Sequence, residues 1–169
     1  MEKNNICQER VWNNIAQSWN SFRQKPLSIA EIYALKWGCG KILDIGCGNC
    51  RNLLSFANSG FECFGIDFSK EMLNYAKEYM KKYNFKVKIK KANAEKIPFP
   101  NHTFDYCLAL RILPTVKGHK KRERVVKEIR NSLKTRGKVL VSIWNLFYPK
   151  NWRYIIKRET FIPWHTKNK

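Results

Sequence analysis

A glycine-containing turn and two carboxylates are the residues whose types and spacing point most directly to chemistry. Gly46 and Gly48 follow a short apolar run that includes Asp44, and glycines let the backbone turn tightly and approach a ligand closely. Asp67 stands 19 residues after Gly48, at the end of the next apolar run. A carboxylate at that distance is placed to accept hydrogen bonds from both hydroxyls of a ribose.

Strand-like and helical patterns alternate around this turn. The predicted elements are an N-terminal helix ending near residue 26, a helix over 28–37, strands over 41–45, 62–66, 86–90, 104–110 and 138–143, and helices over 51–58, 70–83 and 120–134. Strands that alternate with helices predict an α/β fold with a doubly wound, mostly parallel sheet. In such a sheet the ligand binds beyond the carboxyl ends of the strands, where the strand order reverses.

Apolar periodicity and end signals define the predicted helices. The N-terminal helix is expected to bury Val11, Ile15, Trp19 and Phe22, and the last helix Val125, Val126, Ile129 and Leu133. Ser69 is expected to cap the helix over 70–83, and Gly137 to end the last helix.

The turn and the segments after it resemble the class I methyltransferase family over residues 10 to about 145. The motifs are Asp44-Ile45-Gly46-Cys47-Gly48-Asn49, then Gly65-Ile66-Asp67-Phe68-Ser69, then Asn93-Ala94-Glu95-Lys96-Ile97-Pro98-Phe99. The resemblance implies a Rossmann-like fold that binds S-adenosylmethionine. A nicotinamide dehydrogenase is the rival, but its fingerprint requires a third glycine where this chain has Arg51.

The resemblance also implies which residues hold the cofactor. Gly46 and Gly48 would approach the amino-acid portion, with Asp44 near its amino group, Asp67 on the ribose and Asn93 near the adenine amino group. The complete expected set is Asp44, Gly46, Cys47, Gly48, Asn49, Asp67, Phe68, Asn93, Ala94, Glu95 and Leu110. Two positions depart from the family, since Cys50 replaces its third glycine and Asn93 an aspartate that is frequent there.

Further stretches are similar to the family that esterifies carboxymethyl-uridine at the tRNA wobble position. They are residues 11–16, 22–26, 46–49, 51–53, 139–145 and 161–165. A carboxylate acceptor is ionised at pH 7 and attacks a sulfonium methyl without a general base. It needs cations to hold it, and the expected catalytic residues are Arg23, Arg111 and His165, with Arg51 a further candidate. Leu113-Pro114 stand where that family usually carries two histidines.

Charge and composition favour a nucleic-acid partner. The net charge is +20, and residues 111–169 carry 17 basic and 3 acidic side chains. A one-sided basic surface suits a polyanion, because neutralised phosphates release counterions, so tRNA is the expected partner. Aromatic side chains interleave with cations in residues 144–164, which suits base stacking or, alternatively, a lid packed on the sheet. The alternative for the charge is a lysine-rich composition in which cations merely solvate helices.

The six cysteines are expected to be reduced, because most lie in or beside apolar strand-like runs, and a cytoplasmic location follows. Cys47 and Cys50 form a C-x-x-C pair, but no second pair or nearby histidine completes a zinc site. We therefore expect no metal. No apolar run approaches the ~20 residues that cross a bilayer, so no membrane contact is expected.

Three regions are predicted: a helical cap over 1–40, a cofactor-binding domain over 41–145, and a basic aromatic tail over 146–169. The resembling fold has two more strands after the fifth. We therefore expect a complementing C-terminal polypeptide, or a small zinc-binding activator protein, at the exposed strand edge.

Two alternatives to the tRNA enzyme remain open at this point. One is a small-molecule methyltransferase of the same fold. The other is a non-catalytic scaffold subunit, which Cys50, Asn93 and the short C-terminus suggest.

Overall fold

A computed structural model describes residues 3–143 of the 169-residue chain, with side chains from residue 8 onward. The elements in chain order are α1 Lys3–Phe22, α2 Ser28–Lys36, β1 Lys41–Ile45, α3 Leu53–Asn58, β2 Glu62–Asp67, α4 Lys70–Lys82, β3 Lys88–Lys91, β4 Phe104–Leu110, α5 His119–Ser132 and β5 Leu133–Ser142. A single turn of 3-10 helix, Leu113–Thr115, lies between β4 and α5. No helix of this described part is long and apolar enough to span a bilayer.

The strands form one parallel sheet in the order β3-β2-β1-β4-β5. After β1 the chain builds outward through β2 and β3, then returns to place β4 on the other side of β1. The strand order therefore reverses between β1 and β4, which is where an open α/β sheet forms its ligand crevice. The predicted doubly wound fold is confirmed.

Helices cover both faces of the sheet because β1 alternates its side chains between two cores. Ile42 packs with Phe56 of α3 and Leu73 of α4 on one face. Leu43 packs with Val125 of α5 on the opposite face. Thus α4 and α5 lie on opposite sides of the sheet, and the carboxyl ends of β1 and β4 remain between them.

The predicted cap of α4 is confirmed. Ser69 has extended backbone, and its Oγ accepts a hydrogen bond from the N–H of Met72 at 3.1 Å. This bond satisfies one of the N–H groups that the first turn of a helix leaves free. The cap also fixes where β2 ends and α4 begins.

The buried face of α1 differs from the prediction. Val11 is 50% exposed and Phe22 62% exposed, whereas Ala16 is buried. Ile15 and Trp19 of the expected face are partly buried, and Trp12, seven residues before Trp19, is partly buried on the same side as Ala16. Helical periodicity alone could not choose between adjacent faces, and contacts with the loop after β1 make the choice. The helix also ends at Phe22, before Pro26.

The end of α5 also differs from the prediction. The helix ends at Ser132, and Leu133 already pairs with Phe104 as the first residue of β5. Gly137 therefore lies inside β5, within an irregular stretch that precedes regular pairing. A Cβ on Gly137 would meet the carbonyl oxygen of Lys134 at 2.9 Å, so the glycine permits a tight strand irregularity. Val126, expected in the core, is 51% exposed.

Smaller boundary differences occur elsewhere, most of them of a single residue. The helix α3 begins at Leu53 and not at Arg51, because the residues before it complete the turn after β1. The strand β3 runs over Lys88–Lys91, two residues later at its start than expected, because its pairing with β2 begins at Lys88.

Substituting Gly65 in β2 tests how tightly the turn after β1 packs on the sheet. A Cβ at this position would lie 2.9 Å from Sγ and 3.1 Å from Cβ of Cys47. We expect Gly65→Ala to lower the free energy of unfolding by about 1–3 kcal/mol through overpacking, measured by urea denaturation. The matched control is Gly38→Ala, whose Cβ would meet nothing closer than 4.0 Å. An equal loss in both variants would contradict this account of the packing.

Candidate active site

The turn after β1 brings the backbone close to other side chains at two glycines. Gly46 has φ +71°, and a Cβ there would lie 2.7 Å from Cδ1 of Ile112. Gly48 has φ +54°, and a Cβ there would lie 3.0 Å from Cη2 of Trp19. Both the left-handed conformation and the space therefore require glycine. The turn is a cradle that a side chain would fill.

Cys50 adopts a left-handed conformation where the family has its third glycine. Its φ is +62°, its side chain is fully buried, and its N–H donates to the carbonyl oxygen of Cys47 at 2.9 Å. The backbone path that a glycine would permit is thus kept with a small side chain, at some cost in strain. Among the described residues, no group of three His, Cys, Asp or Glu is arranged to hold a metal ion.

Asp67 ties the end of β2 to the turn after β1. Its Oδ2 accepts from the N–H of Gly48 at 3.0 Å, and its Oδ1 accepts from the N–H of Ser69 at 2.8 Å. Burial raises the pKa of Asp67 to about 6, although these N–H groups favour the charged form. The carboxylate therefore lies against the cofactor turn, as the spacing predicts, and is ionised at neutral pH.

Asp44 lies beneath the turn and is 1% exposed. Its Oδ2 is buried and has no hydrogen-bond partner within residues 8–143. Its pKa is raised to about 8, mainly by burial and also by the charge of Asp67, while the charge of Arg51 lowers it. A buried carboxyl oxygen without a partner is costly, so this position fits a ligand that brings a cationic donor such as an ammonium group.

Two adjoining cavities form a crevice along the strand ends. The larger, about 340 Å³, is lined by Phe68, Asn93, Ala94 and Glu95 among others. The smaller, about 90 Å³, is lined by residues of the turn and by Asp67. Both cavities include Phe68, Ile112 and Thr115 in their walls. Nine of the expected cofactor residues line one or both: Gly46, Cys47, Gly48, Asp67, Phe68, Leu110, Asn93, Ala94 and Glu95.

Asn49 lies apart from these cavities and connects the turn to the segment after α1. It is fully buried, and its Nδ2 donates to Oδ1 of Asn20 at 2.7 Å and to the carbonyl oxygen of Arg23 at 2.9 Å. Its Oδ1 accepts from the N–H of Arg51 at 3.3 Å. The side chain therefore fixes α1 over the turn.

Asn93 and Glu95 are held in the wall of the larger cavity. Oδ1 of Asn93 accepts from the N–H of Glu95 at 2.9 Å, which leaves it capacity for one more donor. Glu95 forms ion pairs with Arg124 at 3.3 Å and Lys121 at 3.8 Å. Its carboxylate thus joins this wall to α5.

Three arginines converge on the smaller cavity from separate segments. Arg23 follows α1, Arg51 follows the turn, and Arg111 follows β4. Arg51 is 6% exposed, its Nη1 donates to the carbonyl oxygen of Lys25, and its Nε has no partner among the described residues.

Mutual repulsion accompanies this convergence. The pKa of Arg51 is lowered to about 10, mainly by burial and also by the charges of Arg23 and Arg111. The pKa of Arg111 is lowered by burial and by Arg23. The position of Arg111 is set by φ +64° and by its N–H, which donates to the carbonyl oxygen of Ser142 at 3.0 Å. Three neighbouring cations in a cavity favour an anionic ligand.

Sequence reasoning missed several residues of the smaller cavity. Its wall also contains Trp12, Trp19, Leu27, Asn52, Met72, Ile112 and Thr115. Arg51 stands 5.7 Å from the centre of the Trp19 ring. The spacing of the two tryptophans was the available signal, since seven residues return to the same helix face. His165 and the aromatic tail lie outside the described residues.

A family model described as a methyltransferase domain matches residues 43–141, more than half of the chain. The matched region contains residues 43–45 of β1, all of β2, β3, β4 and α5, and nearly all of β5. It therefore includes the turn, Asp67, Arg111 and the wall of the larger cavity except for its two residues from α1, Gln8 and Glu9.

Individual proteins are similar over different shares of the chain. The tRNA (carboxymethyluridine(34)-5-O)-methyltransferase of Saccharomyces cerevisiae is 26% identical over 96% of this chain and 58% of the yeast protein. The demethylmenaquinone methyltransferase of Bacillus cytotoxicus is 35% identical over 73% of this chain and 51% of that protein. The chain thus spans about half the length of these relatives.

A solved structure of a SAM-dependent methyltransferase from Methanosarcina mazei superposes with a TM-score of 0.59 at 27% identity. The match covers 68% of this chain and 57% of that one. The residues of the site fit S-adenosylmethionine, which has a cationic amino-acid end and a ribose. The buried Asp44 oxygen, which has no partner among the described residues, can accept from the ammonium group, and the glycine cradle leaves room for the amino-acid end.

Asp67 gives the first test of cofactor binding. We expect Asp67→Asn to raise the dissociation constant for S-adenosylmethionine about 10- to 100-fold, roughly 1.4–2.8 kcal/mol, because an amide loses a charged acceptor. Isothermal titration calorimetry measures the change. Glu62→Gln is the control, since Glu62 is an exposed acid at the opposite end of the same strand. Unchanged affinity in Asp67→Asn would assign Asp67 a purely structural role.

Asp44 predicts a proton linkage. The pKa of Asp44 is about 8 in the folded protein and about 3.9 in an unfolded chain. At a pH between these two values, the folded protein holds a proton that the unfolded chain has released. This group's contribution to stability therefore falls as the pH rises from about 4 to 8. If an ammonium group pairs with Asp44, cofactor binding at pH 7 must release that proton. Calorimetry in two buffers of different ionisation enthalpy should find up to one proton released by the wild type and none by Asp44→Asn, whereas no release from either would contradict the pairing.

Four observations point to the same family: the strand order, the glycine cradle, the carboxylate at the end of β2 and the match of the family model. The chain therefore belongs to the methyltransferase domain family, as a class I member whose cofactor is S-adenosylmethionine.

Proposed function

We propose that this chain transfers a methyl group to the carboxylate of a carboxymethyl-type uridine at the wobble position of tRNA. The observation that carries the proposal is the convergence of Arg23, Arg51 and Arg111 on the smaller cavity, beside the turn and Asp67. The name of the yeast relative supports this acceptor, since that relative resembles nearly the whole of this chain.

The chemistry of the cavity suits an acceptor that is already an anion. Asp67 is the one carboxylate in its described wall, and both of its oxygens accept backbone hydrogen bonds. No histidine lies in that described wall. An acceptor with a proton to lose would require a base, whereas a carboxylate is ionised at neutral pH.

When bound, S-adenosylmethionine supplies a sulfonium methyl, which passes to the carboxylate oxygen and leaves a neutral ester and a neutral thioether. The arginines hold and orient the carboxylate, which contributes through proximity. Their attraction is strongest before transfer, because the anion loses its charge as the ester forms. The cluster therefore favours release of the ester over release of the substrate, and it acts by positioning more than by stabilising the transition state.

Aromatic side chains in the same wall support a nucleobase beside the carboxylate. Trp12 and Trp19 both line the smaller cavity, and single-stranded bases stack on such rings. The excess of basic residues after residue 110 supports an RNA that extends beyond the cavity.

The edge of the sheet supports the expected protein partner. In the described part of the chain β5 is one of the two edge strands, and its Val139 and Val141 are 41% and 45% exposed. An apolar edge strand favours pairing with another polypeptide. We infer that a complementing C-terminal polypeptide or a small zinc-binding activator protein adds to this edge. A purified chain that is monodisperse and fully active alone would contradict this inference.

A small-molecule acceptor is the rival, and the resemblance to demethylmenaquinone methyltransferases favours it. An apolar acceptor would bring no negative charge to the arginine cluster, which is costly for a cation as buried as Arg51. Mass spectrometry of tRNA nucleosides incubated with the protein, its cofactor and a candidate partner separates the two. A methyl ester on a carboxymethyl-uridine supports the proposal. If the same protein preparation methylates a quinol, the small-molecule acceptor, but forms no ester on tRNA, the proposal is overturned.

The arginines predict a specific kinetic pattern. We expect Arg23→Gln and Arg111→Gln each to raise KM for a carboxymethyl-uridine stem-loop at least about tenfold, roughly 1.4 kcal/mol or more, because a charge-assisted hydrogen bond is lost. The dissociation constant for S-adenosylmethionine should change little. Arg10→Gln is the control, because Arg10 is exposed on α1 and outside both cavity walls. Unchanged KM in both cavity variants would contradict the carboxylate site.

A further inference from the structure

The outer face of α5 is unusually basic. Residues 117–138 contain ten lysines and arginines and two glutamates. Four of the cations, which we call the basic band, are exposed residues of α5: Lys120, Arg124, Lys127 and Arg130.

The band forms one continuous row. Its members are separated by four, three and three residues, spacings that place helix side chains on adjoining positions of one face. The row is about 15 Å long, from ten residues at about 1.5 Å rise each. Val125 and Ile129, which are buried against the sheet, occupy the opposite face.

The acidic residues near the band neutralise only one of its four cations. Glu128 is partly buried, and its Oε2 accepts from the N–H of Ile97 at 2.8 Å. Glu123 lies 3.4 Å from His119. Lys120, Lys127 and Arg130 form no ion pair within the described residues, and Arg124 reaches only Glu95.

Folding alone does not explain this arrangement. Like charges three and four residues apart destabilise a helix by about 0.2–0.5 kcal/mol per pair. A row of four cations of which only Arg124 is ion-paired is therefore a stability cost. A bound polyanion would offset this cost and release counterions.

The position of the band connects it to the site. Thr115, Val116 and Lys117 line the larger cavity, and α5 begins two residues later at His119. The helix then runs away from the carboxyl ends of the strands along the face opposite α4. An RNA with one base in the smaller cavity has a path for its backbone along this helix.

We propose that the basic band binds the ribose-phosphate backbone of the RNA substrate on the side of the sheet opposite α4. This inference rests on the proposed function for its partner, and it adds the surface that holds the RNA. The contacts are charge contacts to phosphates, so they contribute affinity and orientation and not base specificity.

The experiment compares two triple variants of the full chain. The first is K120Q/K127Q/R130Q. The control is K77Q/K81Q/K82Q, which removes the same charge from exposed lysines of α4 on the opposite face. Binding of unmodified tRNA is measured by fluorescence anisotropy across a series of KCl concentrations, with circular dichroism and S-adenosylmethionine affinity as checks on folding.

We expect the band variant to bind tRNA at least about tenfold more weakly at low salt. Each lost phosphate contact reduces the slope of log K against log salt by about 0.7–0.9, so the expected reduction is about 2. The control should keep a slope close to that of the wild type. Equal losses in both variants, unchanged binding in the band variant, or no tRNA binding by the wild type would overturn the proposal.

Two further outcomes separate this inference from the proposed function. Band-dependent tRNA binding without ester formation would support the band and count against the wobble-uridine activity. Ester formation with equal efficiency in the band variant would leave the activity standing and overturn the band. Equally tight, band-dependent binding of anionic phospholipid vesicles would overturn the assignment to RNA.

Discussion

The hydrogen bond between the Asp67 carboxylate and the N–H of Gly48, 3.0 Å long, is the contact on which the rest of the site depends. It joins the ends of β1 and β2, where Gly46 and Cys47 also donate to the carbonyl oxygen of Ile66 at 2.8 and 3.0 Å. These bonds hold a left-handed glycine turn in one conformation. A turn fixed in this way presents its backbone to a ligand without a further loss of conformational entropy on binding.

The helix α1 couples this turn to the acceptor side of the crevice. Asn13 accepts from Oγ of Ser69 at 2.7 Å, and the ring of Trp19 lies against Gly48. Gln8 donates to the carbonyl oxygen of Thr115 across the larger cavity. The smaller cavity has about 90 Å³, below the roughly 300–1,000 Å³ of most ligand pockets. The helix α1 narrows this cavity, because it supplies Trp12 and Trp19 to the wall.

The sequence predicted the parts of the site that depend on local spacing. Gly48 and Asp67 are separated by one helix between two adjacent parallel strands, so their meeting follows from the βαβ pattern. The role of Ser69 as the N-cap of α4 follows from the preference for serine at that position. The sequence could not predict that Arg23, Arg51 and Arg111 meet in one cavity. Their meeting depends on the return of the chain to β4 and on the path of the chain after α1.

The errors have tertiary causes. Leu133 has the apolar character of a helix position, but pairing with Phe104 draws it into β5. Val11 and Phe22 fit a helical period as well as Ala16 does, and only the contact of α1 with the turn selects among the faces. Periodicity cannot supply the identity of the neighbouring element.

The most direct test of the central claim is a crystal structure of the full chain with S-adenosylhomocysteine, the product form of the cofactor. We expect the ribose hydroxyls to lie within about 3.2 Å of the Asp67 carboxylate, at hydrogen-bond distance, and the adenine to lie in the cavity lined by Phe68 and Ala94. A ligand bound elsewhere, or a ribose without contact to Asp67, would contradict the account.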